Sequence, residues 1–118
     1  MSPIKKGVDL RFIQAVMTVA LIESRDVFKE YGYPVIITSG LEGEHGAKSK
    51  HYEGLALDLR TTHINDEVTK QKIADRVAAK LEDQFDVVLH PYESDKRPGH
   101  LHIEFDPEKI FPKKEVIV

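Results

Sequence analysis

The sequence predicts a small α+β domain in which two principal helices cover one face of a mainly antiparallel sheet. Two segments carry apolar residues at helical spacing, and four shorter segments are β-branched or alternate between apolar and polar residues. Their order along the chain is helix, two strands, helix, two strands, which is typical of this class. The 118 residues match one ordinary domain, so we expect a single domain over residues 1–118.

Apolar periodicity predicts a first helix over residues 9–30, with Asp9 as its N-cap and Gly32 and Pro34 ending it. A second helix is predicted over residues 65–83, with Asn65 as its cap. The predicted strands cover residues 34–38, 54–59, 85–89 and 100–105. Polar or glycine-rich loops are expected at residues 39–50 and 91–99, followed after the last strand by an irregular tail.

Composition narrows the possible functions. The net charge of -3 lacks the basic excess of a nucleic-acid binder. Because cysteine is absent, any metal ion must be held by His, Asp or Glu, and six histidines are present. No signal-peptide pattern is visible and no apolar run approaches the ~18 residues of a membrane span. We therefore expect a soluble protein without a membrane span. We also expect a monomer, although nothing in the composition bears on the oligomeric state.

Two of the predicted strands separate an apolar face from a polar one, because successive side chains point to opposite sides of a sheet. The polar-side residues are Gly54, Ala56, Asp58 and Arg60 on one strand and His100, His102 and Glu104 on the other. The small Gly54 and Ala56 suggest a pocket floor. Three nitrogen or oxygen ligands and one open position are usual for catalytic zinc, and His51, Asp58 and His102 would supply the ligands. The alternative is that these histidines merely decorate a polar surface.

Residues 49–58 read Ser-Lys-His-Tyr-Glu-Gly-Leu-Ala-Leu-Asp. This segment resembles the Ser-x-His-x-x-Gly-x-Ala-x-Asp motif of zinc D-Ala-D-Ala carboxypeptidases and L-alanyl-D-glutamate endopeptidases. Residues 99–102, Gly-His-Leu-His, are similar to the second metal motif of the wider group that includes lysostaphin-type peptidases and the hedgehog domain. The resemblance implies a hedgehog-like fold and Zn²⁺ held by His51, Asp58 and His102. It also implies peptidoglycan peptides as substrates and a bacterial or phage origin.

The resemblance leaves several roles open. Gly99 stands where the carboxypeptidases have an acidic general base, so we favour His100 as the base, with Glu104 or a loop carboxylate, Glu93 or Asp95, as alternatives. Arg60 either binds substrate or forms an ion pair with Asp58 or Glu104. Ser49 and Tyr52 are expected at the substrate pocket. Two other hypotheses are a non-catalytic zinc-containing binding or phage structural module and a metal-free domain.

Overall fold

The computed structural model describes residues 3–10, 13–40, 54–90 and 99–106. These ranges contain two helices and four strands, which confirms the α+β class. In chain order the elements are α1 (Val16–Glu30), β1 (Ile37–Ser39), β2 (Ala56–Arg60), α2 (Glu67–Leu81), β3 (Phe85–His90) and β4 (His100–Phe105). A short 3₁₀ turn at Glu82–Gln84 joins α2 to β3. No helix in the described ranges is both long and apolar enough to cross a membrane.

The four strands form one antiparallel sheet with the order β1-β2-β4-β3. The last strand of the chain therefore lies between β2 and β3. In this register, His102 of β4 lies opposite Asp58 of β2 and opposite Val88 of β3. The pairing sets the two predicted polar faces side by side on one surface of the sheet.

The hydrophobic core fills the space between the helices and the other surface of the sheet. Buried apolar side chains from both layers form one cluster, which includes Met17, Ala20, Val27 and Phe28 of α1, Ile73, Ala74, Val77 and Leu81 of α2, and Leu57, Leu59, Leu101 and Ile103 of the sheet. Complete burial of one such large side chain contributes about 1.5–3 kcal/mol. The helices thus cover one face of the sheet, as predicted.

The start of the first helix differs from the prediction. Helix α1 begins at Val16 after Ala15, so Asp9 is not its N-cap. The segment before it instead pairs with β1: the Ile37 amide donates to the Pro3 carbonyl over 2.7 Å, and the Lys5 amide donates to the Ile37 carbonyl over 2.9 Å. Leu10 and Ile13 pack against the core from outside the helix. Their apolar spacing thus reflects burial without helix formation.

Two further boundaries shift for local reasons. Helix α2 is capped by Asp66, whose Oδ1 accepts a hydrogen bond from the Thr69 amide over 2.7 Å, so the predicted Asn65 cap is wrong.

Strand β1 begins at Ile37, later than predicted. The carbonyl oxygen of Pro34 lies 2.9 Å from Nε2 of His63, outside the ladder. Strand β2 begins at Ala56 and extends to Arg60, while β4 has its predicted bounds.

Candidate metal centre

Two of the three predicted zinc ligands, Asp58 and His102, are in direct contact. They occupy opposite positions on β2 and β4, and Oδ1 of Asp58 lies 2.8 Å from Nδ1 of His102. Asp58 is 2% exposed, and the side chain of His102 is 18% exposed. A carboxylate this deeply buried needs a positive or hydrogen-bonding partner, because burial without one is strongly unfavourable. The strand register brings the imidazole of His102 to that position.

His102 has a second carboxylate partner on its own strand. Its Nε2 lies 2.8 Å from Oε1 of Glu104, two residues further along β4. Burial by itself would lower the pKa of His102, but the hydrogen bonds to Asp58 and Glu104 and the negative charges of both raise it above the usual 6.5. An ionised carboxylate only accepts hydrogen bonds, so this arrangement favours the imidazolium form, which donates from both nitrogens.

His100, the favoured general base, lies on β4 two residues before His102. Its Nε2 is 3.9 Å from Oδ1 of Asp58, which is beyond hydrogen-bond distance but close enough for electrostatic attraction. The imidazole side chain is 12% exposed. His100 therefore borders the contact between Asp58 and His102 without taking part in it.

His90 joins the same cluster of imidazoles. It lies opposite His100 in the ladder between β3 and β4, and the two rings stack with centroids 4.6 Å apart. The rings of His90 and His102 are nearly perpendicular, with centroids 6.3 Å apart. From the sequence, His90 is either a group supporting the site or a plain strand-end residue. The alternation of residues along β3 indicates on which face of the sheet His90 lies. Only the register between β3 and β4 brings it against His100.

Arg60 lies opposite His100 on β2 and is partly exposed. Among the described residues it forms no ion pair with Asp58 or Glu104, the two partners that the sequence left open. The guanidinium is thus not committed to either carboxylate. A contact between Arg60 and substrate stays a prediction.

Three small residues around the site, Gly40, Gly54 and Ala56, have identifiable structural roles. Gly54 has φ 71°, a left-handed conformation that side-chain-bearing residues rarely adopt, just before β2. Gly40 follows β1 and lies against the backbone of Asp9, whose carbonyl oxygen a Cβ at this position would overlap. Ala56 has 0% exposure, so it does not form the open pocket floor that we expected there. These positions serve chain packing and close backbone approach around the site.

The donors present suit zinc, since carboxylate oxygen and imidazole nitrogen are both common zinc ligands. His51, the third predicted ligand, lies outside the described residues, as do Ser49, Tyr52, Glu93 and Asp95. Within the described ranges, no group of three His, Asp or Glu side chains is arranged to hold a metal ion. Asp58 and His102 supply two donors of the kinds that zinc takes, and zinc binding stays a prediction.

Comparison of the chain with protein-family models, with curated proteins and with solved structures finds no match.

Proposed function

We propose that this protein is a zinc metallopeptidase that hydrolyses peptidoglycan peptides, of the D-Ala-D-Ala carboxypeptidase or L-Ala-D-Glu endopeptidase type. The observation that carries the proposal is the 2.8 Å contact between Asp58 and His102 across β2 and β4. Both residues belong to the two sequence motifs, although 44 positions separate them in the chain. A hedgehog-like fold and a bacterial or phage origin belong to the same proposal.

The proposed ligand set is His51, Asp58 and His102. The buried carboxylate of Asp58 supplies negative charge where water is largely excluded, which strengthens its attraction for a cation. His102 offers Nδ1 toward the same carboxylate. When bound, zinc supplies a Lewis acid for the scissile carbonyl and lowers the pKa of a water molecule to near neutrality.

His100 is the proposed general base. Its Nε2 takes the proton from the attacking water and returns it to the leaving amine. Oδ1 of Asp58 lies 3.9 Å from that nitrogen. Arg60, opposite His100 on β2, is proposed to bind a substrate carboxylate, and Ser49 and Tyr52 complete the proposed substrate contacts.

The test combines zinc analysis with mass spectrometry of muropeptides incubated with the zinc-loaded protein. We expect cleavage at a D-Ala-D-Ala or L-Ala-D-Glu bond, and loss of both zinc and cleavage in His102→Ala. Asp75→Asn, an exposed change on α2, serves as the control and retains both. Undiminished cleavage by folded His102→Ala, or the absence of cleavage by a zinc-loaded wild type, would contradict the proposal.

A second candidate is a non-catalytic zinc-containing binding module of the same fold. Gly99 favours it, because this buried glycine replaces the acidic base of the carboxypeptidases. Zinc content does not separate the two candidates, since both hold the metal. The binding module predicts stoichiometric zinc without turnover of muropeptides or of a D-Ala-D-Ala dipeptide, whereas the peptidase predicts turnover.

A further inference from the structure

Glu104 contacts the proposed ligand His102 on the side away from Asp58. The two residues lie at i and i+2 on β4, so their side chains project from the same face. Oε1 of Glu104 is 2.8 Å from Nε2, whereas Asp58 meets Nδ1 at the same distance. The imidazole ring is thus held between two carboxylates, one at each nitrogen.

Glu104 lies in the middle of the sheet, opposite Ala56 on β2 and opposite Asp86 on β3. Its carboxylate turns along its own strand to His102, where an imidazole nitrogen serves as its hydrogen-bond donor.

The chemistry of imidazole assigns different roles to the two carboxylates. A metal ion binds one deprotonated ring nitrogen, and the hydrogen on the other nitrogen needs an acceptor to fix the orientation of the ring. Asp58 is itself a proposed ligand and touches Nδ1, so a cation shared by the two residues takes Nδ1. Nε2 keeps its hydrogen, and Glu104 is the acceptor within reach.

We infer that Glu104 is a positioning residue that holds the Nε2 hydrogen of His102 and thereby presents Nδ1 to the metal ion shared with Asp58. The inference rests on the proposed zinc site, but it gives Glu104 a role other than that of general base. Glu104 acts on the metal ligand and does not take a proton from water.

Two substitutions separate these roles. Glu104→Gln keeps an oxygen that accepts from Nε2 but cannot act as a base, whereas Glu104→Ala removes the acceptor. We expect Glu104→Ala to weaken zinc binding by about 10–100-fold, the usual effect of losing such a partner, and Glu104→Gln to retain affinity within a few-fold. Glu23→Ala, which removes one negative charge from α1, is the control and leaves affinity unchanged.

The measurements are the zinc dissociation constant by chelator competition and the ¹⁵N spectrum of His102 in the zinc-loaded protein. The wild type should show hydrogen on Nε2 and none on Nδ1. Unchanged affinity in folded Glu104→Ala, or hydrogen on Nδ1, would overturn the inference while leaving the zinc site in place. Full zinc affinity in both Glu104→Ala and Glu104→Gln, with turnover abolished in both, would make Glu104 the base instead.

Failure of the proposed function has a different signature. If the wild type and every variant bind no zinc, both the zinc peptidase and the role of Glu104 are wrong. If the wild type binds zinc and Glu104→Ala binds it more weakly, yet no muropeptide is cleaved, the positioning role stands and the peptidase does not.

Discussion

Oδ1 of Asp58 lies 2.8 Å from Nδ1 of His102, and the two residues occupy opposite positions on neighbouring antiparallel strands. We predict that Asp58→Asn, which keeps the shape of the side chain and removes its charge, weakens zinc binding by at least about 100-fold. The reason is that a residue that only hydrogen-bonds to a metal ligand already contributes about 10–100-fold to metal affinity, and a ligand should contribute more. Chelator competition measures the affinity, with Asp75→Asn on the surface of α2 as the control. Tight zinc binding by Asp58→Asn would remove Asp58 from the ligand set.

The free energy of unfolding of the metal-free protein should depend on pH through the titration of His102. The pKa of this residue is raised in the folded state above its ordinary 6.5, because its hydrogen bonds to Asp58 and Glu104 outweigh burial. Its contribution to stability is therefore fully present below the unfolded pKa and is lost as the pH rises through the folded pKa. We expect the difference in unfolding free energy between wild type and His102→Gln to shrink as the pH rises above about 6.5.

Urea unfolding in the presence of a chelator, at steps between about pH 6 and pH 9, measures this difference. Comparison with His102→Gln cancels the titration of groups common to both proteins. A difference that stays constant over the whole range would show that the two carboxylates do not hold a proton on His102.

The N-terminus of α2 offers a test of helix capping. Asp66→Ala removes the oxygen that accepts from the Thr69 amide, so we expect a lower Tm, whereas Asp66→Ser keeps an acceptor and most of the stability. Asn65→Ala is the matched control, because the polar contact of Asn65 to Tyr33 uses its backbone amide. A larger loss of Tm in Asn65→Ala than in Asp66→Ala would reverse the assignment of the cap.

The Asp66 cap also predicts how the stability of the protein changes in acid. The side-chain and backbone hydrogen bonds with Thr69 lower the pKa of Asp66 below 3.8. The carboxylate therefore contributes stability above its unfolded pKa, and this contribution disappears as the pH falls through the folded pKa. Thermal unfolding of wild type and Asp66→Ala should give converging Tm values in acid, and values that stay apart there would contradict the prediction.

Ser24 on α1 has a buried hydroxyl group, and we predict that its replacement by alanine stabilises the protein. It has 0% exposure, and among the described residues its Oγ has no hydrogen-bond partner. An unpaired buried polar group is unfavourable, and alanine is the better helix former, so Ser24→Ala should raise the unfolding free energy by about 1 kcal/mol. Ala20→Ser, at a buried position one turn earlier, should lower it comparably. Destabilisation by Ser24→Ala, measured in urea, would contradict this.

Some features of the candidate site follow from sequence alternation. Asp58 shares a strand face with Ala56, and His102 shares one with His100 and Glu104, whatever the rest of the fold. The bounds of β4 and the end of α1 at Glu30 were also predictable, because apolar spacing and terminating residues are local signals. The start of α1 was not, because Leu10 and Ile13 are partly buried against the core at positions outside the helix.

The sequence by itself determined the α+β class, the apolar and polar faces of each strand, and the residue types available to hold a cation. Only the tertiary structure decided that β4 lies between β2 and β3, with His102 opposite Asp58, His90 stacked on His100 and Glu104 against Nε2. The physical reason is that side-chain direction depends on the local pleat, whereas strand order and register depend on packing between distant segments. A slip of one residue in register would turn the imidazole of His102 to the other face of the sheet.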